Sequence, residues 1–531
     1  MGFASRLKKL ASETAIYGLS SIVGRMVNFL LVPFYTNVFD PDRYGVVIAI
    51  FTAFVFFNIA YTYGMESAYL KYASGSKGRP QAGNAFSSAM LALLASSVVL
   101  SSLFLLLPEQ IGYVIGMHSE YELLYYAAGI LALDALSVVP FAELRLSNRP
   151  WLFAAIKMTN IGVNVGLNLW LILGLDWGIE AIFVANMMAS GVSLLMLLPI
   201  IWKRWASPSK ALMRKMLIFG LPFVPGGLGY ALADRLNIFF LANLDESTVR
   251  RLYGEHLNAD ALTLKGQQAA ALAIEQGKTA AEVAEAATAV WGDYVVGIFG
   301  TGWKLGIFLV LVVQMFRFAW QPFFLQHAED PDAKPLFARI FTLLTAGLVL
   351  AVLAISFLAD DLVRIPIPGG DGERFLIGRS YWFSITIVPL ALVAYFFQGW
   401  YYLFSAGLYL TEKTKYLVHA TFAGSAASVV LNLLLTPQFG MVGAAWATTG
   451  AYAVMTVVLY FITQRFYPMA YDWKRVWSVC ALGVGLFALW TFVPMLNVWY
   501  VEVGLVLLVG AALVPIGIIP PRLIKRLLKR A

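Results

Sequence analysis

Long apolar segments alternate with short polar ones along almost the entire chain, and many of the apolar segments exceed 20 residues. A helix of ~20 residues crosses the ~30 Å hydrocarbon layer of a bilayer, so this pattern predicts an all-α polytopic membrane protein. We predict about 14 transmembrane helices. Their approximate ranges are 14–37, 44–70, 84–107, 121–142, 151–175, 178–202, 216–242, 294–325, 336–359, 377–409, 416–437, 442–464, 476–495 and 498–519.

The first apolar segment, residues 14–37, is expected to remain in the mature protein as a transmembrane helix. It follows the basic stretch RLKKL, but it is too long for the apolar region of a signal peptide. It also lacks a cleavage site of small residues. We therefore treat it as the first span.

An internal repeat is visible in the sequence. LNLWLILGLDWGIEAIFVAN (167–186) resembles LNLLLTPQFGMVGAAWATT (431–449), and both stretches contain a Leu-Asn pair, a turn and the start of an Ala-rich helix. YGLSSIVGRMVNFL from Tyr17 and FGLPFVPGGLGYAL from Phe219 form a second matching pair. These matches predict two pseudo-symmetric six-helix lobes. Because six is an even number, both lobes should enter the membrane in the same direction.

The predicted domain organisation follows from the repeat. The N-lobe comprises spans 1 to 6, the C-lobe comprises spans 7 to 12, and two C-terminal helices precede a basic cytoplasmic tail. The corresponding ranges are 1–215, 216–470 and 471–531.

One polar segment, residues 245–293, interrupts the C-lobe. It is rich in Ala, Glu and Gln, which favour helices, and we predict two short helices on the extracytoplasmic side. The segment contains Gly277-Lys278-Thr279, but a phosphate-binding loop requires a glycine where this chain has Leu272. We therefore predict no nucleotide cofactor.

The composition supports the assignment as a membrane protein and argues against a metal-dependent function. Of the 531 residues, 60% are hydrophobic and only 13% are charged. The chain has one cysteine and four scattered histidines, so the sequence predicts no metal site.

The net charge of +8 is explained by membrane topology rather than by a nucleic-acid partner. Alternate loops, beginning with the N-terminus and ending with the tail from Arg522, hold 25 of the 38 lysines and arginines. By the positive-inside rule these loops and both termini are cytoplasmic. The tail is expected to contact anionic membrane lipids.

Several cationic residues fall inside predicted spans, where a charged side chain needs a partner or a water-filled cavity. Arg25 lies in the middle of span 1 and shares a polar helix face with Asn28. Arg235 lies in span 7, and Lys304 and Arg317 lie in span 8. We consider two interpretations of these cations: they line a cavity and contact the substrate, or they form structural ion pairs.

Lys157 is treated separately, because it lies near the cytoplasmic end of span 5. Its long side chain is expected to reach the membrane interface.

Three acidic residues are candidates for ion coupling or for ion pairing: Glu66, Asp134 and Asp234. Asp234 directly precedes Arg235, and neighbouring side chains on a helix point about 100° apart. We therefore expect Asp234 and Arg235 to have different partners. For Asp134, a bond to a cationic residue and a proton or sodium site remain equal alternatives, whereas the position of Glu66 favours interfacial pairing.

The stretches TAIYGLSSIVGRMVNFLLVPFYTNVFDPDRYGVVIAIF, YGMESAYLKYAS and LNLWLILGLDWGIEA resemble one known group of transporters. They are similar to the polysaccharide-exporting branch of the multidrug/oligosaccharidyl-lipid/polysaccharide (MOP) superfamily, which contains the O-antigen and capsule repeat-unit flippases. The resemblance covers the first twelve spans apart from the insertion.

This resemblance implies two six-helix lobes around a central cavity that opens alternately to either side of the bacterial inner membrane. It implies a transporter rather than an enzyme, and a lipid-linked oligosaccharide as cargo. Basic side chains would hold the cargo diphosphate, a role that we carry over to Arg25 and less directly to Arg235 and Lys304. A polysaccharide polymerase or ligase is a candidate partner.

The excess of cationic over acidic residues within the spans also favours an anionic cargo. A cation-coupled multidrug antiporter of the same superfamily is the alternative, and Asp134 and Asp234 are the residues that support it. A membrane enzyme is a third hypothesis, but the chain has no large catalytic loop.

Overall fold

The structure is a computed structural model that describes residues 23–24, 26–27, 29–74, 79–117, 120–254, 256, 258–367, 374–493, 495 and 498–518. Most of these residues are helical, and their β structure is limited to an isolated bridge between Pro366 and Phe375. The prediction of an all-α membrane protein is confirmed.

The helices of the first half of the chain are α1 (Phe29–Val38), α2 (Pro41–Thr62), α3 (Met65–Ser74), α4 (Arg79–Leu106), α5 (Pro108–Val114), α6 (Leu123–Leu146), α7 (Pro150–Leu169), α8 (Glu180–Arg204), α9 (Lys210–Gly220), α10 (Phe223–Ala242), α11 (Glu246–Tyr253) and α12 (Ala259–Glu275). A π-helical turn, Trp170–Gly174, extends α7.

The remaining helices are α13 (Ala280–Leu305), α14 (Ile307–Gln326), α15 (Ala333–Val363), α16 (Val388–Leu410), α17 (Lys415–Phe466), α18 (Trp473–Phe492) and α19 (Trp499–Ala512). A 3-10 helix, Arg379–Ile387, leads into α16.

Eleven helical segments within the described residues are long and apolar enough to cross a membrane, and α1 and α19 are shorter apolar helices. The segment α17 is 52 residues long, but its backbone turns at Gly440, where φ is 56° and ψ is −128°. Two predicted spans, 416–437 and 442–464, therefore lie on either side of this turn. The total of fourteen spans stays a prediction.

The chain divides into two compact units, Met1–Gly297 and Ile298–Ala531. In the first unit α6 packs against α4 and α8, and α7 packs against α8. In the second unit α16 packs against α14, α15 and α17, and α15 also contacts α18. The predicted lobe boundary at residue 215 stays a prediction.

The insertion differs in detail from the two short helices that we predicted. It contains α11 and α12, but it also contains the first half of α13, which continues into the apolar segment up to Leu305. The predicted single span 294–325 is accordingly wrong, because the helix is interrupted at Gly306 and α14 begins at Ile307. The alanines of residues 280–289 explain the longer α13, since they continue the helix without a breaker.

The part of α13 that lies in the first unit packs with unusually close backbone approaches. A Cβ atom on Gly45 of α2 would lie 1.8 Å from the carbonyl oxygen of Asp293, and a Cβ atom on Gly297 would lie 1.9 Å from that of Pro41. Only glycine leaves room for these contacts. The insertion is therefore anchored to α2 through main-chain packing.

The two copies of the sequence repeat share local structural features. Asn168 and Asn432 are both fully buried, and each side-chain amide donates to the carbonyl four residues earlier, at 2.8 and 2.9 Å. Eight residues after each asparagine the backbone has positive φ, 53° at Asp176 and 56° at Gly440. The repeated sequence thus specifies the same buried hydrogen bond and a turn at the same offset.

Candidate functional site

The candidate residues fall in different parts of the structure, and two of them, Arg25 and Asn28, lie outside the described residues. The others are on α3, α6, α10, α13 and α14.

Asp234 and Arg235, on α10, form an ion pair with each other. The Nε atom of Arg235 lies 2.8 Å from a carboxylate oxygen of Asp234, and both side chains also make further interactions. The pair itself was not expected, since we predicted different partners for the two residues, and it forms because the arginine side chain is long enough to bend back along the helix surface. Asp234 is the more deeply buried partner, with 14% of its side chain exposed against 37% for Arg235.

Asp134, on α6, is bound by a neutral donor. The hydroxyl of Ser190 on α8 donates a hydrogen bond of 2.7 Å to its carboxylate. Lys157, on α7, places its amine 4.3 Å from the centre of the Phe141 ring. Neither residue takes part in a salt bridge within the described part of the chain.

Glu66, on α3, forms an ion pair with Arg145 at the end of α6. This contact is what the pairing interpretation of Glu66 predicts, and it connects two helices near the face predicted to be cytoplasmic. Among the described residues, no contact of Glu66 comparable to this ion pair favours a role in ion coupling.

The sequence analysis missed a second acidic residue beside this pair. Glu143 is almost fully buried, accepts a short hydrogen bond from the Tyr69 hydroxyl, and lies 2.5 Å from Arg204 on α8. The sequence signal was weak, because Glu143 lies at the edge of an apolar segment where charged residues are common.

Arg317, on α14, is held by an aromatic side chain rather than by a carboxylate. Its guanidinium lies 4.7 Å from the ring centre of Tyr402 on α16 and donates a hydrogen bond of 3.3 Å to the hydroxyl of the same residue. Such cation–π contacts leave the positive charge available to an anion. Within the described residues of the second unit, Arg317 is exposed and makes no salt bridge.

Lys304 occupies the last turn of α13 and is half-buried. A cation in this position interacts favourably with the negative end of the helix dipole. Lys304 also makes further interactions within the molecule.

An ionic cluster joins the insertion to the turn between α1 and α2, and the sequence analysis did not predict it. The amine of Lys265, on α12, lies 2.8 Å from the carboxylate of Asp40 and 2.6 Å from that of Asp42. Arg43 pairs with Glu120 beside it. The motif FDPDRYG contains three of these residues, so its charges form a docking surface for the insertion.

Asp293 is buried next to this cluster. Burial raises the pKa of its carboxyl well above the usual range, and the negative charges of Asp42 and Glu120 raise it further, whereas Arg43 lowers it. The acid therefore holds its proton to a higher pH than an ordinary carboxyl group does. This is the clearest electrostatic perturbation outside the predicted spans.

The protein is an all-helical membrane protein with the fold of MOP superfamily transporters. The profile of the family described as "Polysaccharide biosynthesis protein" matches residues 10–275, half of the chain. The chain belongs to this family. The fold of the chain is similar to that of solved flippases and transporters.

Solved structures of three such proteins are similar to this chain. "Lipid II flippase MurJ, inward closed conformation" has a TM-score of 0.66 and 13% identity, covering 93% of this chain and 98% of its own. An inward-facing multidrug resistance MATE family transporter has a TM-score of 0.52 and 15% identity, covering 85% and 94%. A MOP superfamily transporter from Pyrococcus furiosus has a TM-score of 0.50 and 14% identity, covering 86% and 94%.

At these sequence identities the similarity shows a shared fold. It does not identify the substrate of this chain. No curated protein matches the sequence.

Proposed function

We propose that this protein is a flippase that moves a polyprenyl-diphosphate-linked oligosaccharide from the cytoplasmic to the outer leaflet. Transport would proceed by alternating access, and the product would be used to build a cell-surface polysaccharide such as O-antigen or capsule. Family membership supports the polysaccharide context. The similar fold of a protein titled lipid II flippase supports a lipid-linked cargo.

The observation that carries the proposal is the unequal pairing of acids and bases in the predicted spans. Glu66 and Asp234 are paired with arginines, and Asp134 accepts from Ser190. In contrast, Arg317 lies against the Tyr402 ring and makes no salt bridge among the described residues, whereas Lys157 lies against the Phe141 ring with Asp134 as a nearby negative charge. A diphosphate would supply the missing negative charge through charge-assisted hydrogen bonds.

We propose that Arg317 contacts the cargo diphosphate, and that Arg25, Asn28, Arg235 and Lys304 contribute to the same passage. Arginine suits this role because its planar guanidinium can bind phosphate oxygens in a bidentate manner. Outward movement of negative charge across an inside-negative membrane is favourable by about 2.3 kcal/mol per charge per 100 mV. The membrane potential could therefore drive part of the transport.

The proposed location is the bacterial inner membrane with both termini in the cytoplasm, as the distribution of basic residues predicts. We also propose that the two halves of the chain function as parallel six-helix repeats. A polysaccharide polymerase or ligase in the same membrane would use the exported lipid.

The test is to deplete the protein in its own cells and measure polyprenyl-diphosphate oligosaccharides by mass spectrometry of extracted lipids. We expect lipid-linked sugars to accumulate and surface polysaccharide to fall.

Complementation with Arg317→Gln should leave the export defect largely in place, and complementation with Arg317→Lys should restore export in part. Arg339→Gln, at an exposed arginine near the start of the predicted span 336–359, is the matched control and should complement fully. An unchanged lipid pool after depletion would refute the proposal.

A multidrug antiporter is the second candidate, because Asp134 is a carboxylate within a predicted span and its hydrogen bond comes from a neutral donor, the Ser190 hydroxyl. The depletion strain distinguishes the two functions. Increased sensitivity to cationic drugs with a normal lipid pool, and loss of resistance in Asp134→Asn, would favour the antiporter.

A further inference from the structure

A cavity of about 800 Å³ lies where α6 and α8 end and α7 begins. Its wall includes Ser147 and Arg149 from the turn between α6 and α7, Leu152 from α7, and Lys203 and Arg204 from the end of α8. These elements lie at the face that the positive-inside rule predicts to be cytoplasmic. The volume is in the range of small-molecule binding sites.

The cavity wall carries an excess of positive charge. Its acid, Glu143, is already neutralised, because it lies 2.5 Å from Arg204 and accepts a hydrogen bond from Tyr69. Arg149 and Lys203 are exposed, and no ion pair or hydrogen bond engages their cationic groups within the part of the chain that the structure describes. Two cations therefore remain available to an anion.

The start of α7 also favours the binding of an anion in the cavity. Arg149 is the N-cap residue and Pro150 the first residue of a helix of 20 residues, so the positive end of the helix dipole lies at the cavity. The first N–H groups of a helix lack acceptors within the helix. Together with the two side chains, they favour a phosphate-like ligand.

Three exposed tryptophans lie on or next to the helix ends that line the cavity, and they indicate its depth relative to the membrane. Trp151 is the second residue of α7, and Trp202 and Trp205 flank the end of α8, with 74%, 88% and 51% of their surfaces exposed. Tryptophan is enriched at the level of the lipid head groups. A phosphate at this depth belongs to a lipid more readily than to a dissolved metabolite.

The rim of the cavity is held in place before any ligand binds. The backbone N–H of Ala206 donates a hydrogen bond of 2.8 Å to Ser87, and that of Ser209 donates one of 2.9 Å to Ser88. These bonds fix the loop after α8 to α4. A preformed site binds with less loss of conformational entropy.

We propose that this cavity is a binding site for the phosphate head group of a membrane lipid, with Arg149 and Lys203 as its anion-binding residues. The site is separate from the span residues assigned to the transport cargo. Its existence does not depend on the proposed flippase function, since an antiporter could hold a lipid there as well.

Native mass spectrometry of the purified full-length protein in non-ionic detergent tests this proposal. The probes are phosphatidylglycerol, phosphatidylcholine, a polyprenyl diphosphate and inorganic diphosphate. We expect the protein to retain phosphatidylglycerol or the polyprenyl diphosphate at least tenfold better than phosphatidylcholine. The double variant Arg149→Gln, Lys203→Gln should lose this preference.

The matched control is Arg214→Gln, Lys215→Gln, which removes the same charge from exposed positions on α9 that do not line the cavity. It should retain lipid as the unaltered protein does. Equal losses in both double variants, or no lipid preference in the unaltered protein, would overturn the site. Inorganic diphosphate binding as tightly as either lipid would overturn the assignment to a lipid.

Comparing the polyprenyl diphosphate with phosphatidylglycerol shows which kind of lipid supplies the phosphate. Retention of the polyprenyl diphosphate alone identifies the cavity as a docking site for cargo, and retention of phosphatidylglycerol identifies a site for bulk lipid. Both results support a lipid phosphate site. Because binding is measured on purified protein, its outcome is independent of any export defect.

Discussion

The amine of Lys265 in the insertion lies 2.6 Å from the carboxylate of Asp42 in the first turn of α2. The two residues are separated by 223 positions in the sequence. The contact ties the one long polar segment of the chain to the FDPDRYG motif. The insertion is thus a fixed part of the first unit rather than a loosely attached loop.

Replacing Lys265 by Met should loosen the insertion, because Asp42 would lose its cationic partner while only 9% of its side chain is exposed. We expect a loss of about 1–3 kcal/mol in local stability, as for a partly buried charge that is left without its partner. Hydrogen exchange of the α12 amides would measure it. Arg364→Met provides a control, since its pair with Asp360 is exposed on both sides and should contribute less than about 1 kcal/mol. Equal protection of α12 with and without Lys265 would contradict this prediction.

Asp293→Asn should change how stability depends on pH. The pKa of Asp293 is raised in the folded protein, so the folded state holds its proton above the pH at which the unfolded state loses it. Stability is therefore expected to fall as the pH rises from the ordinary carboxyl pKa of about 4 towards the raised value. The variant should lack this fall and be the more stable form at neutral pH. Thermal unfolding between pH 4 and 8 tests it, and identical pH profiles would argue against a protonated Asp293.

Gly45→Ala should be strongly destabilising, because the new Cβ atom would lie 1.8 Å from the carbonyl oxygen of Asp293. Helix α13 would have to move away from α2, at a cost of about 1–3 kcal/mol or more. Gly162→Ala is the matched control, since nothing lies within 4 Å of its Cβ position and alanine favours a helix by about 0.5–1 kcal/mol. Melting temperatures in detergent should shift in opposite directions, and a neutral Gly45→Ala would show that this packing is looser than described.

Glu143→Gln should destabilise the region of the first unit where α6 and α8 end. The change removes a buried negative charge that Arg204 and Tyr69 both contact. Breaking such a buried pair costs about 3–5 kcal/mol when the remaining charge stays buried, and less here because Arg204 is one-third exposed. Glu246→Gln, in an exposed pair with Arg250, should change stability by less than about 0.5 kcal/mol. Urea or thermal unfolding monitors both variants, and similar small effects would refute a structural role for Glu143.

The repeat shows which structural features of this protein can be predicted from local sequence and which cannot. The Leu-Asn pairs at 167–168 and 431–432 predicted a helix end followed by a turn, and the structure has turns with positive φ at Asp176 and Gly440. The buried amide oxygens, however, accept from different donors: the Tyr35 hydroxyl for Asn168 and the Thr436 hydroxyl for Asn432. The first donor is 133 positions away, and no local pattern identifies it.

The sequence by itself determined the class of the protein and its helical membrane segments, because the length of apolar runs is a local property set by the thickness of the bilayer. It also predicted which charges lie in the spans. Only the tertiary structure decided how those charges are paired. Asp234 pairs with its neighbour Arg235, Glu66 with Arg145, and the insertion with Asp40 and Asp42. Side-chain rotamers and contacts between distant segments set these pairs, and neither is encoded in residue spacing along one helix.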